Sequence, residues 1–324
     1  MDPVTWMEEA TGARISGPPV LVQKLWSGYG RIERWWLEDG DAGRARTVIL
    51  KVVDPGEAGP NHPRGWTSSF AGERKRKSYA VERAYYGRFN GELGPEARTP
   101  RLLAEAETAT GGMMLLEDLD PAGFRGRRQD VTDPEVRACI RWLAAFHAAF
   151  MGRDPEGLWD RGTYWHLATR PDELAATQDP RLRAAAPAID ARLGAAKHRT
   201  FVHGDAKVAN FCFGEPADLD IHQPVAAVDF QYVGGGIGVQ DLSYFLGSCL
   251  DDGQLSQRAD GYLDAYFAEL APRLAPHYDP GAIEAEWRAL WPDAWADFHR
   301  FLAGWAPGHW KLSRYSERMV RSVL

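Results

Sequence analysis

The pattern of apolar and polar positions divides the chain in two. "RIERWWLE" (31–38) and "RTVILKVV" (46–53) are rich in β-branched and aromatic residues, and the Gly40-Asp41-Ala42-Gly43 turn between them predicts a hairpin. Further strands are predicted at "TPRLLAEAE" and "GGMMLLEDL", and the spacing of "SYAVERAYYGRFN" predicts a helix before them. A Pro/Gly-rich insertion, "DPGEAGPNHPRG", precedes that helix. From about Pro121 long helical patterns take over. "DPEVRACIRWLAAFHAAFMG" is amphipathic, with Asp133 as N-cap and Pro134 at the first helical position, and similar patterns recur at 181–197, 257–272 and 281–304. Only 200–232 interrupts them, with short strands around "FVHGDAKVANF" and at "PVAAVDF". The expected plan is α+β: a small antiparallel-sheet lobe with one helix (1–117), a connector near 116–122, and a larger, mainly helical lobe (118–324). A cleft between two such lobes is a common place for a ligand.

Composition narrows the function classes. With 44% hydrophobic residues among 324, the chain can bury a large core. A net charge of −7 lacks the basic excess of a nucleic-acid binder, yet leaves room for a local cationic pocket. Cys139, Cys212 and Cys249 are odd in number and form no CxxC, so they read as reduced thiols of a cytoplasmic protein. The start, "MDPVTWMEEATG", has no basic and apolar leader pattern, and no apolar run approaches ~20 residues, so neither a signal peptide nor a membrane span is expected. Oligomeric state is left open.

Several charges stand where apolar residues belong. In "TVILKVV", Thr47, Ile49, Lys51 and Val53 share one strand face. Lys51 must find an anion there, snorkel to water, or guard a sheet edge. On the following helix Tyr79, Glu82, Tyr86 and Phe89 share a face, so an acid occupies a core position. A buried ion pair between Lys51 and Glu82 satisfies both, with a solvent-facing Glu82 as the alternative. Glu73 and the basic run "RKRK" read as a solvated helix start. In "FVHGDAKVANF" apolar flanks surround His203, Asp205, Lys207 and Asn210, as in a loop at the mouth of a rigid core. Asp205, Asn210 and, after the next strand, Asp229 offer hard oxygen ligands for Mg²⁺ with phosphate oxygens and water. An additional carboxylate at that mouth could orient or deprotonate a hydroxyl, and Lys207 offers charge to a transferring phosphoryl group. The alternative is a polar turn with an Asx-type hydrogen bond.

"HGDAKVAN" followed by "VDFQ" resembles the paired motifs of the aminoglycoside phosphotransferase and choline kinase-like superfamily, which has a protein-kinase-like fold. "VAAVDFQYVGGGIGVQDLSYFL" looks closest to its ecdysteroid-kinase-like branch. The resemblance covers about residues 20–250 and is most specific across 200–246. It implies an ATP- and Mg²⁺-dependent kinase acting on a hydroxyl of a small molecule: an alcohol, amino alcohol, aminoglycoside or steroid-like compound. By this similarity Asp205 meets the acceptor hydroxyl, Lys207 meets the γ-phosphate, and Asn210 and Asp229 hold Mg²⁺. Lys51 grips the α- and β-phosphates and Glu82 fixes Lys51. Backbone groups near Leu115, Leu116 and Glu117 receive adenine, His203 is scaffold, and Asp241 braces the catalytic loop. Where the phosphate-covering loop is expected, in "WSGYGRIERWW", only Gly28 and Gly30 are present.

Two other readings compete. A non-catalytic nucleotide-binding pseudokinase has against it that Lys51, Glu82, Asp205, Asn210 and Asp229 are all present. A metal-dependent hydrolase built on His203, Asp205 and His222 lacks HxH and HExxH spacing. For the acceptor pocket, Trp287, Trp291 and Trp295 read first as core, with Pro292 able to open the stripe. Asp251, Asp252, Asp293 and Asp297 could meet a cationic acceptor or be solvated, and "GGGIG" at 234–238 is expected to give flexibility after Asp229.

Overall fold

The computed structural model describes residues 2–25, 28–38, 46–54, 69–108, 111–214 and 224–324, and the side chains of all of these except 69 and 70. The Gly40–Gly43 turn, nearly all of the 54–65 insertion and His222 lie outside the described residues.

The smaller lobe is an antiparallel five-stranded sheet in the order β1-β2-β3-β5-β4. Its strands are β1 (Val20–Lys24), β2 (Gly30–Leu37), β3 (Arg46–Val53), β4 (Leu102–Glu107) and β5 (Gly112–Glu117). The β-rich runs therefore became strands as expected, whereas exposed β1 is an edge that the apolar pattern did not announce. Two helices flank the sheet rather than one. Helix α1 (Pro3–Thr11) sets Trp6 and Met7 against Leu37, Val48, Leu50, Met113 and Leu115. Helix α2 (Ser69–Arg88) lies on the opposite face, the face of Ile49 and Lys51. Period-two alternation in β3 thus separates a dry face from one that opens on the cleft.

The larger lobe is mainly helical. Helix α3 (Asp133–Ala149) starts one residue earlier than its Asp-Pro pair suggests. Thr132 is the N-cap in a capping box with Glu135, which places Asp133 inside the first turn. Then come α4 (Pro171–Ala176), α5 (Pro180–Gly194), the short strands β6 (Thr200–Val202), β7 (Phe211–Phe213), β8 (Val225–Ala227) and β9 (Gly234–Gly236), and α6 (Gly238–Cys249). Helices α7 (Asp252–Leu270), α8 (Pro280–Ala289), α9 (Trp291–Trp305) and α10 (Arg314–Val323) complete the lobe. The 281–304 pattern is two helices, because Pro292 lacks the N–H that a continuous helix needs. Trp287, Trp291 and Trp295 are core, as the first reading had it. Among the described residues no helix is long and apolar enough to cross a membrane.

The glycine run after Asp229 is a rigid element, contrary to the expected flexibility. Gly234–Gly236 forms β9 and pairs with β6. A Cβ on Gly234 would overlap the Trp159 carbonyl oxygen, and one on Gly238 would overlap the Tyr266 hydroxyl. These glycines serve close packing. Phe230 joins the lobes: it stacks on Tyr85 of α2 at 4.1 Å and lies 4.6 Å from the His203 ring.

Candidate active site

The site is built on two turns that leave short strands. The first follows β6. Asp241 of α6, fully buried, accepts the backbone N–H of His203 at 2.5 Å through Oδ2 and that of Gly204 at 2.9 Å through Oδ1. Oδ2 also meets His147 Nε2 at 3.1 Å, while His147 Nδ1 meets the Tyr266 hydroxyl at 2.8 Å. His203 spans the two turns, with Nε2 on the Val228 carbonyl at 3.1 Å and Nδ1 accepting the Asp205 N–H at 3.3 Å. Both ring nitrogens are therefore spent on backbone groups, which makes His203 a scaffold residue. Gly204 at φ 78° lets the chain turn where a Cβ would overlap the Tyr232 carbonyl.

This scaffold holds Asp205, 6% exposed, with both oxygens engaged. Oδ1 accepts the Tyr244 hydroxyl at 3.0 Å, and Oδ2 accepts Lys207 Nζ at 2.8 Å and Asn210 Nδ2 at 3.1 Å. Burial works against the charge of Lys207, but the Asp205 carboxylate outweighs it and raises the lysine above its ordinary value. Asn210 Nδ2 also donates to the Asp205 carbonyl, which leaves its oxygen as the group facing a cation.

Asp229 sits in the second turn, two residues after β8. It is one of two non-glycine residues with positive φ among the described residues, at 71°. Its Oδ1 is buried and has no hydrogen-bond partner among them. Burial pushes its carboxyl up, yet Lys51, Lys75 and Lys207 together hold it below the usual range. A strained, orphaned, ionised carboxylate near an asparagine oxygen fits a divalent cation held by Asn210 and Asp229. Among the described residues no group of three or more His, Cys, Asp or Glu side chains forms a metal cluster.

The Lys51–Glu82 pair forms as read from the misplaced charges. Nζ lies 2.6 Å from Oε2, with side-chain exposures of 4% and 2%. Burial raises the Glu82 carboxyl despite Lys51.

These groups face two abutting cavities of about 370 and 330 Å³. Ile32, Ile49, Lys51, Leu116, Glu117, Asn210 and Asp229 line the first. Leu116 and Glu117 thus stand where a base is expected, but Leu115 points into the opposite sheet face. The Glu117 carboxylate pairs with Arg98 at 2.6 Å and Arg101 at 3.3 Å. Gly28 (φ 74°) and Gly30 (φ 143°) shape the β1–β2 turn that carries Leu25 and Tyr29 to the cavity mouth. A side chain on Gly30 would overlap the Val52 carbonyl, so this turn uses glycine for sheet contact.

The second cavity contains Asp205, Lys207 and Asp229, together with residues that no motif marked. Arg74 and Lys75 reach it from α2, and Arg170, Tyr164, Tyr232, Tyr244, Phe301 and Trp305 come from the larger lobe. Only the second half of "RKRK" is solvated as expected: Arg76 and Lys77 are exposed, but Arg74 and Lys75 are not. Glu73 is exposed, but Arg74 donates to the Thr169 carbonyl and Lys75 to Gln231 Oε1, each at 2.6 Å. One signal was available: Arg74 and Lys75 lie two helical turns before Glu82, on the same face. The four candidate acids are all used elsewhere. Asp251 caps α7, Asp252 accepts the Tyr315 N–H, Asp293 pairs with Arg192 and Asp297 with Arg300.

A five-stranded sheet with a Lys–Glu pair, stacked on a helical lobe whose turns carry Asp205, Asn210 and Asp229, defines a phosphotransferase of protein-kinase-like architecture. The sequence pattern of the phosphotransferase enzyme family matches residues 23–278, and the chain belongs to that family. No curated protein matches it in sequence. Among solved structures it is similar to an amicoumacin kinase in complex with AMP-PNP, Ca²⁺ and Ami (12% identity, 100% and 92% of the two chains covered, TM-score 0.51). It is also similar to a thermostable aminoglycoside phosphotransferase in ternary complex with AMP-PNP and hygromycin B (16% identity, 99% of each chain, TM-score 0.50). A macrolide 2'-phosphotransferase from Brachybacterium faecium matches at 15% identity and TM-score 0.48, covering 98% and 94%. At these identities the likeness is one of fold.

Proposed function

We propose that this phosphotransferase is a kinase that transfers the γ-phosphate of ATP to a hydroxyl of a small molecule. The observation that carries the reading is the placement of Asp205 in the second cavity beside Lys207 and Asp229, which line both cavities, with its carboxylate oriented by Tyr244, Lys207 and Asn210. In this reading the nucleotide occupies the cavity of Lys51, Leu116 and Glu117, and the acceptor occupies that of Tyr164 and Phe301. Asp205 orients the acceptor hydroxyl and takes its proton as the new O–P bond forms and the bond to the ADP oxygen breaks. Lys207, already paired with Asp205, neutralises charge on the phosphoryl oxygens, and Lys51 holds the phosphates nearer the base. A Mg²⁺ bound by Asn210 and Asp229 would supply further charge neutralisation. We place the boundary between the nucleotide-binding lobe and the catalytic lobe at residues 117 and 118, and the 225–246 segment supports the ecdysteroid-kinase-like branch of the family.

The test is Asp205→Asn. ATP binding by calorimetry is expected to persist while ADP release with an acceptor falls by about 10³-fold or more. Full turnover in that variant would remove Asp205 from the mechanism. Failure of the parent protein to release ADP with any alcohol, while still binding MgATP, would favour the pseudokinase reading.

A further inference from the structure

The second cavity has a charge pattern that the transfer step does not use. Lys207 is balanced by Asp205, and Asp229 faces Lys51, Lys75 and Lys207. Arg74 forms no ion pair among the described residues; its one hydrogen bond goes to the neutral Thr169 carbonyl. Burial and the like charge of Arg170 hold its guanidinium below its ordinary value, against the opposing influence of Tyr232, Glu173 and Asp172. Arg170 is buried and oriented by the Tyr164 carbonyl at 2.6 Å, with Glu173 as its partner at 3.1 Å. Two guanidiniums thus converge on one wall where one of them has no counter-ion among the described residues. Tyr29 and Tyr79, 3% and 6% exposed, line the same cavity, and their buried hydroxyls each lack a hydrogen-bond partner among the described residues. The rest of the wall is aromatic: Phe301 meets Tyr164 edge-on at 5.3 Å and Trp305 face-on at 6.0 Å.

We infer that the acceptor carries its own anionic group, a carboxylate or a phosphate, which Arg74 and Arg170 bind while a flat apolar body lies against Tyr164, Phe301 and Trp305. This rests on the kinase reading and gives it a substrate class: hydroxylated aromatic or alicyclic acids and their phosphate counterparts. Polycationic acceptors are disfavoured, because the acids that would receive them are spent elsewhere and the free charges on this wall are positive.

The experiment is a binding titration, so its failure is distinct from a failure of transfer. Protein saturated with Mg²⁺ and AMP-PNP is titrated by calorimetry with 3-phenyllactate and 2-phenylethyl phosphate, with the neutral 3-phenyl-1,2-propanediol and with the cationic phenylalaninol. Both anions are expected to bind at least about tenfold tighter than the diol, the low end for a charge-assisted hydrogen bond. Arg74→Gln, which retains a donor for the Thr169 carbonyl, is expected to abolish that preference and leave AMP-PNP affinity unchanged. A preference for only one anion would identify which of the two the wall accepts. Equal or tighter binding of the diol or the amine, no binding of either anion, or loss of AMP-PNP affinity in a folded Arg74→Gln protein would each overturn the inference.

Discussion

Asp241→Asn removes a single charge at the point where α6 holds the turn that carries Asp205. The carboxylate accepts two backbone N–H groups, from His203 and Gly204, and meets His147 Nε2, all in a fully buried site. His147 Nδ1 is occupied by the Tyr266 hydroxyl, so the imidazole donates to Asp241 through Nε2. An asparagine has only one acceptor oxygen. In either orientation its NH₂ faces a donor, so at least one charge-assisted bond becomes a donor–donor contact. Each such bond is worth about 1.5–3 kcal/mol, and the survivors weaken when the charge goes. The expected cost is about 3 kcal/mol, against a total stability of roughly 5–15 kcal/mol. The variant should therefore fold, with a Tm lowered by roughly 6 °C or more. If Asp205 acts as proposed, a turn displaced by about 1 Å is expected to lose about 10²-fold in kcat. Denaturation scans with and without nucleotide, followed by ADP-release kinetics, measure both effects. A Tm within about 1 °C of the parent together with an unchanged kcat would refute the claim that Asp241 holds the loop.

Three further outcomes follow from the packing and the charges. Glu82→Gln leaves Lys51 buried without its partner, so we expect a loss of about 3–5 kcal/mol and weaker MgATP binding; an unchanged KM for ATP would count against the pair's role. His299, which shares a 2.9 Å hydrogen bond with Ser316 Oγ, is held neutral by burial, its value pulled down to about 4. Unfolded it titrates near 6.5, so the unfolded chain binds the proton first and stability falls as pH drops from about 6.5 to about 4, by at most about 3 kcal/mol. Denaturant midpoints across that window should flatten in His299→Gln, and an identical slope in the variant would assign the loss to other groups. Gly234→Ala forces a Cβ into the Trp159 carbonyl and is expected to cost more than about 2 kcal/mol by separating β9 from β6. Parent-like stability there would restore the flexible reading of the glycine run.

The sequence by itself determined what is local. Lys51 and Glu82 were legible because each broke the periodicity of its own element, and a buried charge has few ways to be satisfied. Asp205, Asn210 and Asp229 were legible because a turn between two buried strands must present its polar groups at one mouth. Some helix starts were read to within a residue or two: the Asp-Pro pair marked α3, but only the hydrogen bonds chose Thr132 as its cap, whereas α7 begins five residues before its pattern and α6 was not announced. What the tertiary structure alone decided is the wall of the second cavity. Arg74, Arg170, Tyr244 and Phe301 share no spacing along the chain, so no periodic signal links them. Their common cavity exists only once α2 packs across the larger lobe. The same holds for the acids: Asp293 and Asp297 resembled a cationic-substrate site in one dimension, and folding gave each an arginine. Burial also turned a glycine run that looked flexible into a strand, since short-range composition carries no record of the Trp159 carbonyl that packs against it.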